Sequence, residues 1–396
     1  MEQYKKQAKD FIKLGHSGDP EVLRRVKQWH PRSSQLLDSG ILNSKFALAD
    51  AQLIIAREYG FDSWPKFTEH VEELARESSP VSKFESAADA VVTGDARTLE
   101  SLLREMPELV RARSTRLHRS TLLHYVAANG FENYRQKCPE NVVDMAKILL
   151  NAGAEVDAVA DTYGKSTTLG LVATSIHPKQ AGVQISLMET LLEYGAAVDG
   201  AREGVNPVIS ALHNGHPQAA EFLAQRGALL DLEGAAGVGW LDVVERFFAP
   251  DGSLKANATR AQMESGFLWA CEYGRNSVID FLLEKGVDLH TRENTGLTGL
   301  HWAVVGGQLQ TVKLLLERGA PLEAKNVYGG TVLGQALWSA INSNSGIDYV
   351  PVIEMLIGAG AKMDDGLLAW LSSQRSRSPS EKARIAEVLR RHGATS

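Results

Sequence analysis

Few residues in this chain are grouped in a way that could do chemistry. His213-Asn214-Gly215-His216 sets two imidazoles at an H-x-x-H spacing, yet no further Cys, His or Asp cluster supplies the other ligands of a tetrahedral metal site. The glycine-rich run GAAGVG from Gly234 to Gly239 resembles a phosphate loop only in its glycines. No Lys-Ser/Thr follows it and no strand pattern precedes it, so it reads as a shortened junction between elements. There is no G-x-S-x-G elbow, and no Ser or Cys is paired with a nearby His in a recognised order. No metal and no cofactor is therefore expected, and the chain leans away from being an enzyme. The remaining acid-base candidates are Glu272, His213 and Tyr273, which no motif joins.

The surroundings of these residues are those of a water-exposed protein with a large core. Of 396 residues 44% are hydrophobic, and no apolar run approaches the ~18 residues of a membrane span. The first ten residues, MEQYKKQAKD, carry both signs of charge and lack the apolar stretch of a secretory signal. Cys138 and Cys271 lie far apart, which suits a reducing compartment, so a cytoplasmic location is expected and the Asn257-Ala258-Thr259 sequon is incidental. The net charge of -6 is spread without long runs, which argues against nucleic acid or an anionic membrane as the partner.

A single phrase recurs: two apolar residues, two variable ones, Gly, a small residue, a variable one and an aliphatic. It reads LLNAGAEV, LLEYGAAV, LAQRGALL, LLEKGVDL, LLERGAPL and LIGAGAKM, and the chain closes on LRRHGA. Its glycines are Gly153, Gly195, Gly227, Gly286, Gly319, Gly360 and Gly393, with gaps of 42, 32, 59, 33, 41 and 33 residues. The gap of 59 holds a degenerate copy, GWLDVVERFF from Gly239 to Phe248, so the underlying period is 33.

With this period goes a second half-motif. Thr298-Gly299-Leu300-His301-Trp302-Ala303 is similar to the T-P-L-H-x-A of ankyrin repeats, with Gly299 in place of proline, and Thr121 to Val126 is a looser copy. The resemblance covers about residues 84–396 and implies an all-α ankyrin-repeat solenoid of about eight helix-turn-helix units. Each unit is expected to be an inner helix, a turn, an outer helix ending on the recurring glycine, and a hairpin leading to the next unit. In the copy from Asn294 to Lys325, Leu300, Ala303 and Val304 should face inward on the first helix, and Val312, Leu315 and Leu316 on the second. His124 and His301 fall at the repeat's own His position and His216 just after an inner-helix Gly, which implies structural roles for all three. Ser378-Pro379-Ser380-Glu381 reads as a capped start to the last helix.

The domain organisation expected is an N-terminal helical segment, 1–80, followed by a repeat domain, 81–396. The clearest N-terminal piece is LADAQLIIAREYGFDSWPKF, with Leu48, Ala51, Ile55 and Tyr59 on one face and Gly60 as a stop. It resembles a phrase, AQ-x-x-IAREYGF-x-SWP, that precedes the repeats in bacterial ankyrin proteins of unassigned role. Twelve basic residues against twelve acidic ones give this segment no basic surplus for reading DNA.

The resemblance also points to where a ligand would sit, because ankyrin proteins bind through the two residues before the inner-helix glycine and through the hairpin tips. Carried over by position, these include Asn129, Thr174, Ser175, His213, Asn214, Glu272, Tyr273 and Trp338 at helix ends, with Tyr163 and Tyr328 at hairpin tips. Leu300 to Gly319 spans 19 residues, whereas Leu123 to Gly153 spans 30, Leu169 to Gly195 spans 26 and Leu333 to Gly360 spans 27. Three repeats thus carry insertions, at 131–141, 176–185 and 341–351, which would wall the groove if they are ordered. The function expected is recognition of a protein or peptide partner on the concave face. The alternative is a small-molecule site or enzyme in the walled groove.

Overall fold

All seven glycines of the recurring phrase have positive φ, between 81° and 97°. A Cβ at any of them would meet nothing within 4 Å, so the left-handed backbone, not lack of space, selects glycine there. Around Gly319 the chain closes the helix with Ala320 N donating to Leu315 O (2.9 Å) and Gly319 N to Leu316 O (3.0 Å), the paired bonds of a Schellman stop. The same pair recurs at Gly153 and Gly360. The repeat phrase is therefore a helix terminator, and it divides the chain into helical hairpins.

The computed structural model describes residues 1–31, 47–130, 132–201, 204–342, 346–375 and 379–394. It is an all-α protein, with one two-stranded hairpin among the described residues. The chain forms two compact units, Met1–Asn214 and Gly215–Ser396.

In the first unit, α1 (Glu2–His16), α2 (Pro20–Trp29), α3 (Leu48–Glu58) and α4 (Trp64–Leu74) share an apolar core of Ala8, Phe11, Val26, Ile54, Ile55 and Phe67. Ala51 and Ile55 are buried as the helical spacing requires, and Gly60 turns with φ 83°. Leu48 and Tyr59 do not complete that buried face. Leu48 lies in the first turn of α3, and the Tyr59 ring instead stacks on Phe67 at 5.1 Å from the surface side.

Next come α5 (Pro80–Thr93) and α6 (Ala96–Glu105), the first repeat-like pair, starting four residues before the expected Phe84 because Ser79 caps the helix at Ser82 N. The segment Leu122–Ala127 is a 3-10 helix and not an α-helix, closed by Ala128 at φ 47°. After it come α7 (Val142–Asn151), a hairpin of β1 (Val159–Ala160) and β2 (Ser166–Thr167), α8 (Thr168–Ala173), α9 (Ile176–Gln180), α10 (Gln184–Glu193) and α11 (Pro207–His213).

The second unit opens with α12 (Pro217–Gln225) and continues with α13 (Leu232–Val238), α14 (Leu241–Glu245), α15 (Arg260–Glu272), α16 (Asn276–Glu284), α17 (Gly299–Val305) and α18 (Leu309–Glu317). It ends with α19 (Val332–Asn342), α20 (Val350–Gly358), α21 (Leu367–Ser373) and α22 (Pro379–Arg391). Inner helices α13, α15, α17 and α19 pack in order, as do outer helices α14, α16, α18 and α20. Leu300, Ala303, Val304, Val312 and Leu315 are fully inside, while Leu316 is half-buried. The run from Gly234 to Gly239 is no junction. It belongs to α13, capped where Asp231 Oδ1 accepts from Gly234 N (2.8 Å), and its small residues let α15 come close. A Cβ on Gly266 of α15 would stand 2.8 Å from that of Ala236.

His301 Nδ1 meets Thr298 N and Oγ1 at 3.2 and 2.9 Å, and His124 Nδ1 meets Thr121 N and Oγ1 at 3.1 and 2.8 Å, so both histidines tie the helix start together. His216 is buried at the start of α12. Ser378 lies outside the described residues, and the Glu381 carboxylate accepts from Tyr349 N at 3.1 Å.

Candidate binding groove

In the first unit four of the expected residues converge on one cleft of about 170 Å³. Asn129, Tyr163, Thr174 and Asn214 line it together with Ser210 and Val205. Asn129 follows the 3-10 turn and donates through Nδ2 to Leu171 O (3.0 Å) and Thr174 Oγ1 (2.9 Å), which fixes its amide across two repeats. Tyr163 sits at the β1-β2 tip, where Tyr163, Gly164 and Lys165 all have positive φ. Its ring is 64% exposed yet seated, because a Cβ on Gly130 would overlap it. Asn214 ends α11 and donates to Ser210 O at 2.8 Å. His213, beside it, is exposed and does not line the cleft. Ser175 is buried, its hydroxyl donating to Ala128 O at 3.4 Å, so it joins the repeats and offers nothing to a ligand.

The described parts of the insertions do not wall this cleft. In 131–141, whose Phe131 lies outside the described residues, Asn133–Arg135 forms a 3-10 turn that drives Arg135 into the protein. In 176–185, which holds α9 and the first residues of α10, Gln184 turns inward and donates to Val172 O (2.9 Å). In 341–351, of which 343–345 are outside the described residues, Tyr349 is buried and donates to Val305 O (2.9 Å). Each insertion is anchored by a side chain pointing in.

The anchor of the first insertion was not legible in the sequence. Arg135 pairs with Glu85 Oε2 (2.6 Å) and Asp89 Oδ1 (2.7 Å) and donates to Glu85 O (3.0 Å). Arg116 pairs with the other oxygen of Glu85 and, through Nε, with Glu132 Oε1 (2.9 Å). Burial would raise both carboxyls, but the two guanidinium groups hold Glu85 below its usual range. His118 and Arg116 hold Glu132 at about 2. Nearby, a broader cleft between α4 and the 115–119 turn is lined by Phe61, Lys66, His70, Leu117 and Arg119. Burial and the charge of Arg116 push His70 down to about 4, so its ring is neutral near pH 7.

In the second unit Glu272 and Tyr273 end α15, Trp338 stands 55% exposed on α19, and Tyr328 is 86% exposed at a hairpin tip. Burial and the neighbouring Glu272 carboxylate push the Tyr273 phenol far up, so it stays protonated and is unsuited to act as a base. The inner helices carry two further residues that position alone did not select, Trp269 on α15 and Trp302 on α17, with ring centroids 5.4 Å apart. Trp269 Nε1 donates to Glu233 Oε1 at 2.9 Å. Their separation of 33 residues, one repeat, was the available signal.

No group of three or more His, Cys, Asp or Glu side chains among the described residues could hold a metal ion. Nor, among them, is any helix long and apolar enough to cross a membrane. No curated protein matches the chain. Among solved structures it is similar to the crystal structure of the human ASB11 ankyrin repeat domain, at 20% identity over 70% of this chain and 99% of that one, with a TM-score of 0.37. A family model described as ankyrin repeats matches in three copies across residues 235–365, and this stretch of the chain is thus made of ankyrin repeats.

Proposed function

We propose that this protein is an ankyrin-repeat binding module that recognises a protein or peptide partner on the concave face made by its inner-helix ends and hairpin tips. Repeats of this kind present extended surfaces, and ankyrin repeats are in general modules of protein interaction. The observation that carries the reading is the convergence of Asn129, Tyr163, Thr174 and Asn214, from three successive repeats, on one cleft. Two of them are held in place before any partner arrives: Asn129 by its two hydrogen bonds, Tyr163 by its seat on Gly130. That spares some of the ordering cost of binding. A cleft of about 170 Å³ is below the ~300 Å³ at which small-molecule pockets begin, which favours a partner laid across it over a ligand enclosed in it.

The helices of residues 1–80, with their own apolar core, serve in this reading as a docked segment beside the repeats, similar to the N-terminal phrase of the bacterial ankyrin proteins. A cytoplasmic location fits such a module. Calorimetry on a purified partner tests the reading. Tyr163→Ala and Asn214→Ala should each weaken binding by about 2 kcal/mol while leaving the melting temperature in place. Lys313→Ala and Glu284→Ala, on outer helices, should change it by less than about 0.5 kcal/mol. Equal losses at all four positions would overturn it.

A further inference from the structure

The four inner helices of the second unit each leave one stripe uncovered, and burial along each helix shows which. On α15 the fully buried residues are Met263, Gly266, Phe267, Leu268, Ala270 and Cys271; of the rest, Gln262, Ser265, Trp269 and Glu272 at i, i+3, i+7 and i+10 form one stripe with Ala261 beside it, Glu272 keeping one carboxylate oxygen buried. On α17 the corresponding residues are Trp302 and Val305, on α19 Gln335 and Trp338, and on α13 Glu233. Because these helices pack side by side in order, the stripes run on as one surface, along which Trp269 and Trp302 are in ring contact and Trp338 follows on the next repeat.

The charged side chains on the stripes themselves are acidic, and Arg275, just past the end of α15, is turned to Gly237 O and Glu221. The acidic ones are Glu233, fixed through the Trp269 indole, and Glu272. Of the bases on these four helices among the described residues, Arg260 lies at the first position of α15 and is paired with Glu264 at 2.7 Å. His301 is buried and pushed down to about 4 by that burial, hence neutral near pH 7. No lysine occurs on any of the four. Indole faces flanked by carboxylates attract a cation twice over, through the ring quadrupole and through charge, and guanidinium adds planar stacking.

Resting on the partner-binding reading above, we propose that the inner face of the second unit takes an extended, arginine-bearing segment of the partner, its guanidinium groups lying against Trp302 and Trp338 and facing Glu272. The carboxylates then set the sign of the partner and the indoles provide the contact area. Binding should weaken as ionic strength rises, since part of the attraction is between screened charges.

Three capped peptides of equal length test this on the full chain: one alternating arginine with glycine, one with citrulline for each arginine, one with glutamate. Titration followed by calorimetry and tryptophan fluorescence should show saturable binding of the arginine peptide, at least tenfold weaker binding of the citrulline peptide and none of the glutamate one. Trp338→Ala, at an exposed position where folding is retained and checked by circular dichroism, should weaken the arginine peptide at least tenfold. Glu272→Gln should weaken it several-fold and flatten its salt dependence. If citrulline or glutamate peptides bind as well as arginine, and do so through Trp338, the partner reading survives and the cationic one falls. If no peptide binds in a Trp338-dependent way, this inference falls, while the first-unit variants Tyr163→Ala and Asn214→Ala still decide the partner reading independently.

Discussion

Arg135 shows what a single residue of an insertion can do. Its guanidinium is 3% exposed and reaches Glu85, 50 positions earlier, so its removal leaves a buried carboxylate with one cation fewer. Breaking a buried pair from one side costs more than the pair contributes, and Arg135→Ala should lower stability by about 3 to 5 kcal/mol in urea melts. The double variant Arg135→Met with Glu85→Gln should recover part of that loss, and a single-variant cost below about 1 kcal/mol would mean the cluster is not a fastener.

Acid acts on a second set of residues. Burial lowers His124 and His301 from the usual 6.5 to about 4, so between these values the unfolded chain binds more protons than the folded one. Stability should be full above pH 6.5, fall as pH drops below it, and level off near 4, by about 3 kcal/mol for His124 if it acted alone. Glu132, held at about 2, contributes stability that is present above its usual 4.5 and lost as pH falls towards 2, a separate and lower window. Thermal melts against pH should show the first decline well above pH 4.5, and His124→Gln should reduce it. A flat profile down to pH 5 would contradict the buried neutral histidines. The histidines were legible because the motif names them, whereas Arg135 was not: nothing local marks a charge whose partner lies on a distant helix.

At the scale of the element, the helix stops were the most legible feature, since a left-handed terminator needs glycine and therefore recurs visibly. Gly319→Ala should cost about 1 kcal/mol or more, because its φ of 81° strains a Cβ. Gly358, the last residue of α20, with open space where a Cβ would stand and no positive φ, should respond oppositely, Gly358→Ala stabilising by about 0.5 kcal/mol. Melts of the two variants check the pair, and the same sign for both would undo the assignment of the stop. Leu315→Ala, at a fully buried position between outer helices, should cost about 2 to 5 kcal/mol. Harder to read were α13, whose glycines argue against a helix until its close packing on α15 is known, and the 3-10 turn at 122–127. In both, tertiary contact overrides what local propensity suggests.

For the whole molecule, the period of 33 made the stacking order of the repeats legible and, with it, the inner-helix side of each unit. The contents of that side were only partly legible. Position selected Asn129, Tyr163, Thr174 and Asn214, which meet, but also Ser175, which is buried. It passed over Trp269 and Trp302, because repeat position marks helix ends and these two indoles stand one turn earlier. The insertions, expected as walls, turned their anchoring side chains inward, since a charged or amide group that finds partners inside is held more firmly than one left in solvent.

Central to all of this is a partner on the inner face, and a photoreactive amino acid placed at single positions tests it most directly. Installed in place of Asn214, Tyr163 or Trp338, it should give one discrete crosslinked adduct of the same partner on illumination in cells, and installed at Lys313 or Glu284 it should give none. Adducts of equal yield from the outer helices, or none from the three inner-face positions, would contradict it.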